Sequence, residues 1–326
     1  MKIVCDKHIP FFAETIQKEW PNVQIIPMES EQIDATSVRE ADVLVVRTRT
    51  KVDETLLSGS RIQMVCTATI GHDHIDTAYC KAHDIRWTAC PGCNAQAVCD
   101  YIEEALNEQS AISNQQSVIG VVGVGHVGSL VAQMAERRGL KVLLNDPPKN
   151  IGVSLDEIAQ NCDIITFHVP LTPITNNQSP ITNHQSPITN HPTYHLCDEA
   201  FLSKCKPEAL IINSARGGVV DEQALLASGH PYIIDTWENE PTINKNVLAH
   251  AQLASMHIAG YSAEGKRNAS QMCLDAIAQQ FGLQPVVVPA PTEHGDTTRG
   301  WLRRISEALK ARPDDFESLR KNYKFR

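Results

Sequence analysis

The chain of 326 residues has no apolar run of the ~20 residues a membrane-crossing helix needs, so no membrane partner is expected. The opening stretch, MKIVCDKHIPFFAET, carries charges inside its apolar part and reads as a first strand, not a signal peptide. Basic residues are in the minority. The 29 Lys and Arg against 38 Asp and Glu leave a formal net charge of −9. That argues against nonspecific nucleic-acid binding but leaves room for a local basic pocket. The ten cysteines follow no repeating spacing, and without an export signal they read as reduced thiols in a cytoplasmic protein. The one CxxC, Cys90-Pro-Gly-Cys93, has no second pair to complete a zinc set and no helical pattern directly after it. It reads as small residues at a tight turn, and no metal site is expected. His72 and His74 read as part of a turn, with His74 capping or packing.

Residues 172–193 are unusual. PITNNQS, PITNHQS and PITNH repeat with a seven-residue spacing. A proline in each unit breaks helix and central strand, and one Ile per unit builds no coiled-coil seam. The segment reads as a surface loop insertion grown by repeat expansion. His184, His191 and His195 could ligate a metal or a partner only if something held them, and the sequence shows nothing that does.

The most informative stretch is VIGVVGVGHVGSLVAQMAERRGLKVLLND (118–146). An apolar run ends in a glycine turn, a helical pattern follows, and a second apolar run closes on an acid. In the turn Gly123, Gly125, His126, Val127, Gly128, the first glycine permits the bend and the second lets backbone approach a pyrophosphate. The third lets helix pack on strand, and the free N–H groups of the helix start face the phosphates. Asp146 is placed to accept hydrogen bonds from ribose hydroxyls, and its charge disfavours the extra phosphate of NADP. NAD is the expected cofactor.

Apolar runs alternate with helical stretches along most of the chain, which implies an α/β class with parallel sheets covered by helices. Strands are expected at 2–5, 23–26, 43–48, 64–69 and 85–90. A second series follows at 118–123, 141–146, 163–170, 209–215, 232–237 and 253–260. A helix is expected in the first half of 97–117. After about residue 284 the pattern becomes proline-rich, with two short amphipathic helices in a tail too small for its own core.

Three strand ends in the second series carry chemistry. Arg216 follows an apolar strand in INSARGGVVDEQAL, at the end where open α/β sheets place ligands. A guanidinium there can clamp a carboxylate by two parallel hydrogen bonds. IIDTWENEP ends another strand in acids, including Glu240, and ASMHIAGY brings His257 to a third. Oxidation of a 2-hydroxy acid needs this set: an imidazole to take the hydroxyl proton, a carboxylate to steady the imidazolium, and an arginine for the substrate carboxylate.

Over residues 40–283 the chain resembles the D-isomer-specific 2-hydroxyacid dehydrogenases, through VGVGHVG, HVPLT, INSARGGVVDE, DTWENEP and HIAGY. The resemblance implies two Rossmann-like doubly wound parallel-sheet domains with a cleft between them. Residues 1–96 with 262–283 would bind substrate, 97–261 would bind NAD, and 284–326 would form a short C-terminal dimerisation-like segment. It implies Arg216, Glu240 and His257 as the catalytic set. Cofactor contacts would come from Asp146, the Val169 backbone, Asp235 and Gly260. A narrower likeness within the family runs through VRTRTKVDETLL, TATIGHDHID, CPGCNAQAV, LNDPP, HIAGYSAEGK and FESLRKNY. It implies a small phosphorylated hydroxy-acid substrate touched by Thr48, Thr69 and Tyr261, and a homodimer. A phosphate also calls for positive charge, which Arg47, Arg49, Lys51 and Lys266 could supply. The alternatives are a dehydrogenase of 3-phosphoglycerate, glyoxylate or hydroxypyruvate, or a non-catalytic NAD-sensing interaction protein.

Overall fold

The computed structural model describes residues 1–109, 116–171, 193–291 and 295–324. Nearly all of the repeat insertion, with His184 and His191, lies outside the described residues. The chain divides into two compact units, residues 1–94 with 262–294 and residues 95–261 with 295–326.

The first unit is built on five parallel strands in the order β2-β1-β3-β4-β5. These are β1 (Lys2–Asp6), β2 (Gln24–Met28), β3 (Val43–Val46), β4 (Met64–Thr67) and β5 (Arg86–Thr88). The central strand β3 is apolar at every position because both faces are covered. Val43 and Val45 point into one core with helices Phe12–Glu19 and Ala263–Phe281. Leu44 and Val46 point into the other, with residues from the short helices Ala35–Val38, Glu54–Leu57 and Thr77–Ala82. Three of those helices start on an aspartate (Asp34, Asp53, Asp76) whose carboxylate accepts an orphan backbone N–H.

The second unit holds seven strands in the order β12-β11-β10-β9-β6-β7-β8. They are β6 (Val118–Val122), β7 (Lys141–Asp146), β8 (Ile151–Gly152), β9 (Ile164–Phe167), β10 (Leu210–Asn213), β11 (Tyr232–Ile234) and β12 (Leu253–Ala254). All pairs are parallel except β7–β8. The two-residue β8 is invisible to periodicity, being too short to show any. Helix Ala95–Glu108 enters this unit and buries Tyr101, Ile102, Ala105 and Leu106. The C-terminal tail belongs to the same core. Trp301, Leu302, Leu309 and Phe316 are buried there, and the Trp301 ring meets Tyr101 edge-on at 6.0 Å. The Ser306 hydroxyl accepts the Ala254 N–H at 3.0 Å, extending the hydrogen bonding of the edge strand β12 into the tail.

Most strands end earlier than their apolar runs. The run 43–48 is strand only to Val46, and 163–170 only to Phe167. Arg47 to Thr50 form a turn, so Arg47 and Thr48 lie beyond the strand expected to include them. The carboxyl ends peel away from the sheet into the loops that carry the polar side chains.

Candidate active site

In the second sheet the winding reverses between β6 and β9, and open sheets bind ligands at such a point. Gly123, with φ of +92°, turns the chain out of β6. A Cβ at Gly123 would stand 2.8 Å from the backbone of His168 and 2.7 Å from the Val169 side chain, so the two loops close on each other. A Cβ at Gly128 would lie 1.9 Å from the Gly123 carbonyl oxygen, which only glycine avoids. Gly125 caps helix His126–Arg137, and a Cβ there would meet nothing within 4 Å, so the helix start stays open to a ligand. His126 is exposed and Val127 half-buried in that first turn. Asp146 ends the neighbouring β7. Its Oδ2 accepts the Val124 N–H at 2.9 Å and lies 3.5 Å from the Lys149 ammonium, which itself donates to the Val124 carbonyl at 2.6 Å. The acid is therefore tied to the glycine turn. An open helix N-terminus beside an anchored carboxylate fits the pyrophosphate and ribose of a dinucleotide.

β10, β11 and β12 are parallel neighbours, and Arg216, Glu240 and His257 all follow their carboxyl ends. His257 Nδ1 is 2.8 Å from Glu240 Oε2. The other carboxylate oxygen, Oε1, accepts the Trp237 N–H at 2.9 Å, which fixes the turn that presents it. Burial works to raise the Glu240 carboxyl, but the hydrogen bond and charge of His257, the Trp237 amide and the Arg320 charge outweigh it. The carboxyl stays below its ordinary value, ionised beside the imidazole.

His257 sits at φ +57°, a left-handed conformation a histidine rarely adopts. Asp235 enforces it. Its backbone oxygen accepts the His257 N–H at 2.8 Å. Its Oδ1 accepts from Ser255 Oγ at 2.6 Å and Ile258 N at 2.8 Å, and its Oδ2 from Ala259 N at 3.0 Å. The resemblance implies a cofactor contact from Asp235. It is 1% exposed, and both carboxylate oxygens are engaged by the loop that leads to Gly260. It shapes the His257 loop. Arg216 is exposed. Its Nη1 donates to the adjacent Ala215 carbonyl at 2.8 Å, and among the described residues its guanidinium pairs with no carboxylate.

Glu222 and Glu238 escape sequence reasoning, and His195 has partners the sequence does not show. Glu222, 2% exposed, accepts the Glu238 N–H at 2.8 Å and so braces the turn carrying Glu240. Burial, then the charges of Glu238, Glu240 and Asp221, push the Glu222 carboxyl up to about 7 against the pull of that amide. The Glu238 side chain meets His195 Nε2 at 2.5 Å, and His195 Nδ1 lies 3.5 Å from Asp221. His195, untethered as far as the sequence shows, is thus clamped on both nitrogens. Acids following a run of strand residues are the only signal.

In the first unit, Thr48 lies exposed in the turn after β3. Thr69 joins a chain of hydrogen bonds in which His74 Nε2 meets Thr67 Oγ1 at 3.1 Å, the two threonine hydroxyls meet at 2.6 Å, and Thr69 donates to the Gly71 carbonyl at 2.9 Å. Arg47 has a structural partner as well. Its Nε and Nη2 grip the buried Asp6 carboxylate at 2.8 and 3.1 Å, so its fork closes the end of β1. Lys51 pairs with Asp53 at 2.8 Å. Cys90 Sγ lies 3.3 Å from the Thr67 and Ala269 carbonyls, and burial pushes the Cys93 thiol up to about 12, which suits inert thiols at a turn. Among the described residues no group of three or more His, Cys, Asp or Glu is arranged to hold a metal ion, and no helix is long and apolar enough to cross a membrane.

An open glycine turn with an arginine and a carboxylate-paired histidine on neighbouring strand ends is an arrangement that suits a hydroxy-acid dehydrogenase of the doubly wound class. The chain belongs to the D-isomer specific 2-hydroxyacid dehydrogenases, whose catalytic domain it matches over residues 2–286. It is an oxidoreductase. It is 39% identical to an erythronate-4-phosphate dehydrogenase of Bacteroides fragilis, with 100% of this chain and 97% of the relative covered. It is 38% identical to one of Porphyromonas gingivalis, with 99% and 92% covered. Among solved structures, the NAD-complexed D-isomer specific 2-hydroxyacid dehydrogenase of Lactobacillus delbrueckii ssp. bulgaricus superposes with a TM-score of 0.67. That pair is 20% identical, with 87% of this chain and 98% of the other covered.

Proposed function

We propose that this enzyme oxidises 4-phospho-D-erythronate at C2, with NAD, to (R)-3-hydroxy-2-oxo-4-phosphobutanoate. The observation that carries the reading is identity of 36–39%, along nearly the whole chain, to relatives named erythronate-4-phosphate dehydrogenase. The chemistry of the site agrees with it. With Nδ1 turned to Glu240, His257 presents Nε2 to the substrate hydroxyl and takes its proton. The Glu240 carboxylate steadies the resulting imidazolium. Arg216 holds the substrate carboxylate through its planar fork and polarises the C2 oxygen. Bound NAD supplies the hydride acceptor. The glycine turn and the start of helix His126–Arg137 hold its pyrophosphate, and Asp146 its ribose.

In this reading the reaction belongs to pyridoxal 5′-phosphate (vitamin B6) biosynthesis, and the enzyme works in the cytoplasm as a homodimer. The intact Arg216, Glu240 and His257 set speaks against a non-catalytic NAD sensor. The test is NADH formation by purified protein with 4-phosphoerythronate, against D-erythronate, 3-phosphoglycerate and the reverse reactions of glyoxylate and hydroxypyruvate. The reading expects the highest kcat/KM for 4-phosphoerythronate. A higher value for any other substrate would overturn it.

A further inference from the structure

The proposed substrate has two anionic ends, and Arg216 can answer only one of them. A second cation must therefore reach the site if a phosphate is to be recognised. In the basic cluster after β3, Arg47 is gripped by Asp6 and Lys51 by Asp53, which leaves the exposed Arg49 as that cluster's one cation without a carboxylate partner among the described residues.

The C-terminal tail brings in another. Arg320 lies on the short helix Phe316–Lys321, which is seated by Phe316 at 1% exposure. Its Nε donates to the Tyr261 hydroxyl at 3.0 Å, and its guanidinium carbon stands 5.6 Å from the centre of the Tyr261 ring. Nη1 reaches the half-exposed Glu317 at 3.3 Å, and Nη2 has no acceptor among the described residues. Tyr261 follows His257 by four residues in the same tight loop, with its N–H on the Ile258 carbonyl at 2.8 Å. The Arg320 charge is felt by the Glu240 carboxyl. A half-buried guanidinium, packed on a tyrosine and only loosely paired, thus stands on the acid–base side of the site, fifty-nine residues along the chain from its partner. The Tyr261 contacts pre-orient the fork, and Arg is suited to bidentate recognition of a tetrahedral oxyanion.

We propose that Arg320, carried by the C-terminal helix and oriented by Tyr261, is the specificity residue that binds the substrate's phosphate group. The inference rests on the preceding functional reading for the identity of the substrate, but the subsite itself is testable without turnover.

The variants are Arg320→Met, which keeps an apolar stem, and Arg320→Lys, which keeps the charge but loses the fork. Each is measured as the NAD-loaded full chain. The first readout is binding of inorganic phosphate by calorimetry. The second is the ratio of kcat/KM for 4-phosphoerythronate to that for D-erythronate. Phosphate binding by the wild type should weaken at least tenfold in R320M, and the ratio should fall at least fiftyfold, with R320K between the two. Phosphate that the wild type does not bind, or binds equally in R320M, would overturn the subsite. So would a fall in both substrates together that leaves the ratio unchanged, because that marks a role confined to holding the Glu240–His257 pair. If R320M does not fold, an R320K variant with wild-type phosphate affinity and ratio overturns it equally. Loss of phosphate binding in R320M, in an enzyme that does not oxidise 4-phosphoerythronate, would keep the subsite and remove the functional reading.

Discussion

Glu240 uses one carboxylate oxygen to hold the His257 imidazole at 2.8 Å and the other to hold its own turn through the Trp237 amide at 2.9 Å. The imidazole and its supporting carboxylate are therefore one rigid piece. His257→Asn is the cleanest probe, because asparagine tolerates the left-handed φ that His257 adopts. It should lower kcat by about 10³-fold, within the usual span for a general base. NAD affinity, read by fluorescence titration, should stay within twofold. Turnover within tenfold of wild type would remove His257 from the chemistry.

Arg216 is exposed and forms no carboxylate pair among the described residues, so it contributes little to folding. Arg216→Lys should leave the melting temperature unchanged. It should cut kcat/KM by about 10- to 100-fold, the scale of one or two charge-assisted hydrogen bonds. A drop in stability with no kinetic effect would contradict the assignment.

Two glycines in one turn should fail differently. A methyl at Gly128 collides with the Gly123 carbonyl, whereas one at Gly125 meets nothing within 4 Å. Gly128→Ala should destabilise the fold by about 1–3 kcal/mol, the ordinary cost of overpacking. Gly125→Ala should melt like wild type and lose NAD affinity alone. Thermal melts paired with NAD titrations separate the outcomes, and equal melting of the two variants would refute the close-packing account.

Glu222 titrates in the folded protein at about 7, raised from 4.5. The folded state therefore holds this proton where the unfolded chain has lost it, and stability falls as pH rises from 4.5 to 7. The full penalty, roughly 3 kcal/mol, applies above that window. Glu222→Gln keeps the acceptor for the Glu238 amide and removes the penalty. The variant should melt several degrees higher at pH 8 and like wild type near pH 4.5. A variant that melts lower at pH 8 would show that the charge itself holds the turn.

Much of the architecture is legible in the order of residues. The eleven apolar runs all form strands, and the alternation of core sides along β3 follows from a two-residue repeat. The glycine turn, the acid at the end of β7 and the three polar strand ends are all local patterns. The partners of polar groups are not. Arg47 finds Asp6 across 41 residues, Arg320 finds Tyr261 across 59, and Asp235 turns inward onto residues 255–259. Each residue type allows several employments, and its neighbours in sequence do not choose among them.

Amino-acid order alone determined which segments enter parallel sheets, where the tight glycine turn must lie, and which side chains stand at strand ends. Periodicity and glycine spacing are local properties, set by the reach of a few backbone bonds. Tertiary structure decided which of those side chains are free for a ligand and which are bound into the scaffold. Hydrogen bonds and ion pairs form between groups close in space, and in a doubly wound sheet each crossover carries the chain tens of residues away before returning it beside its start.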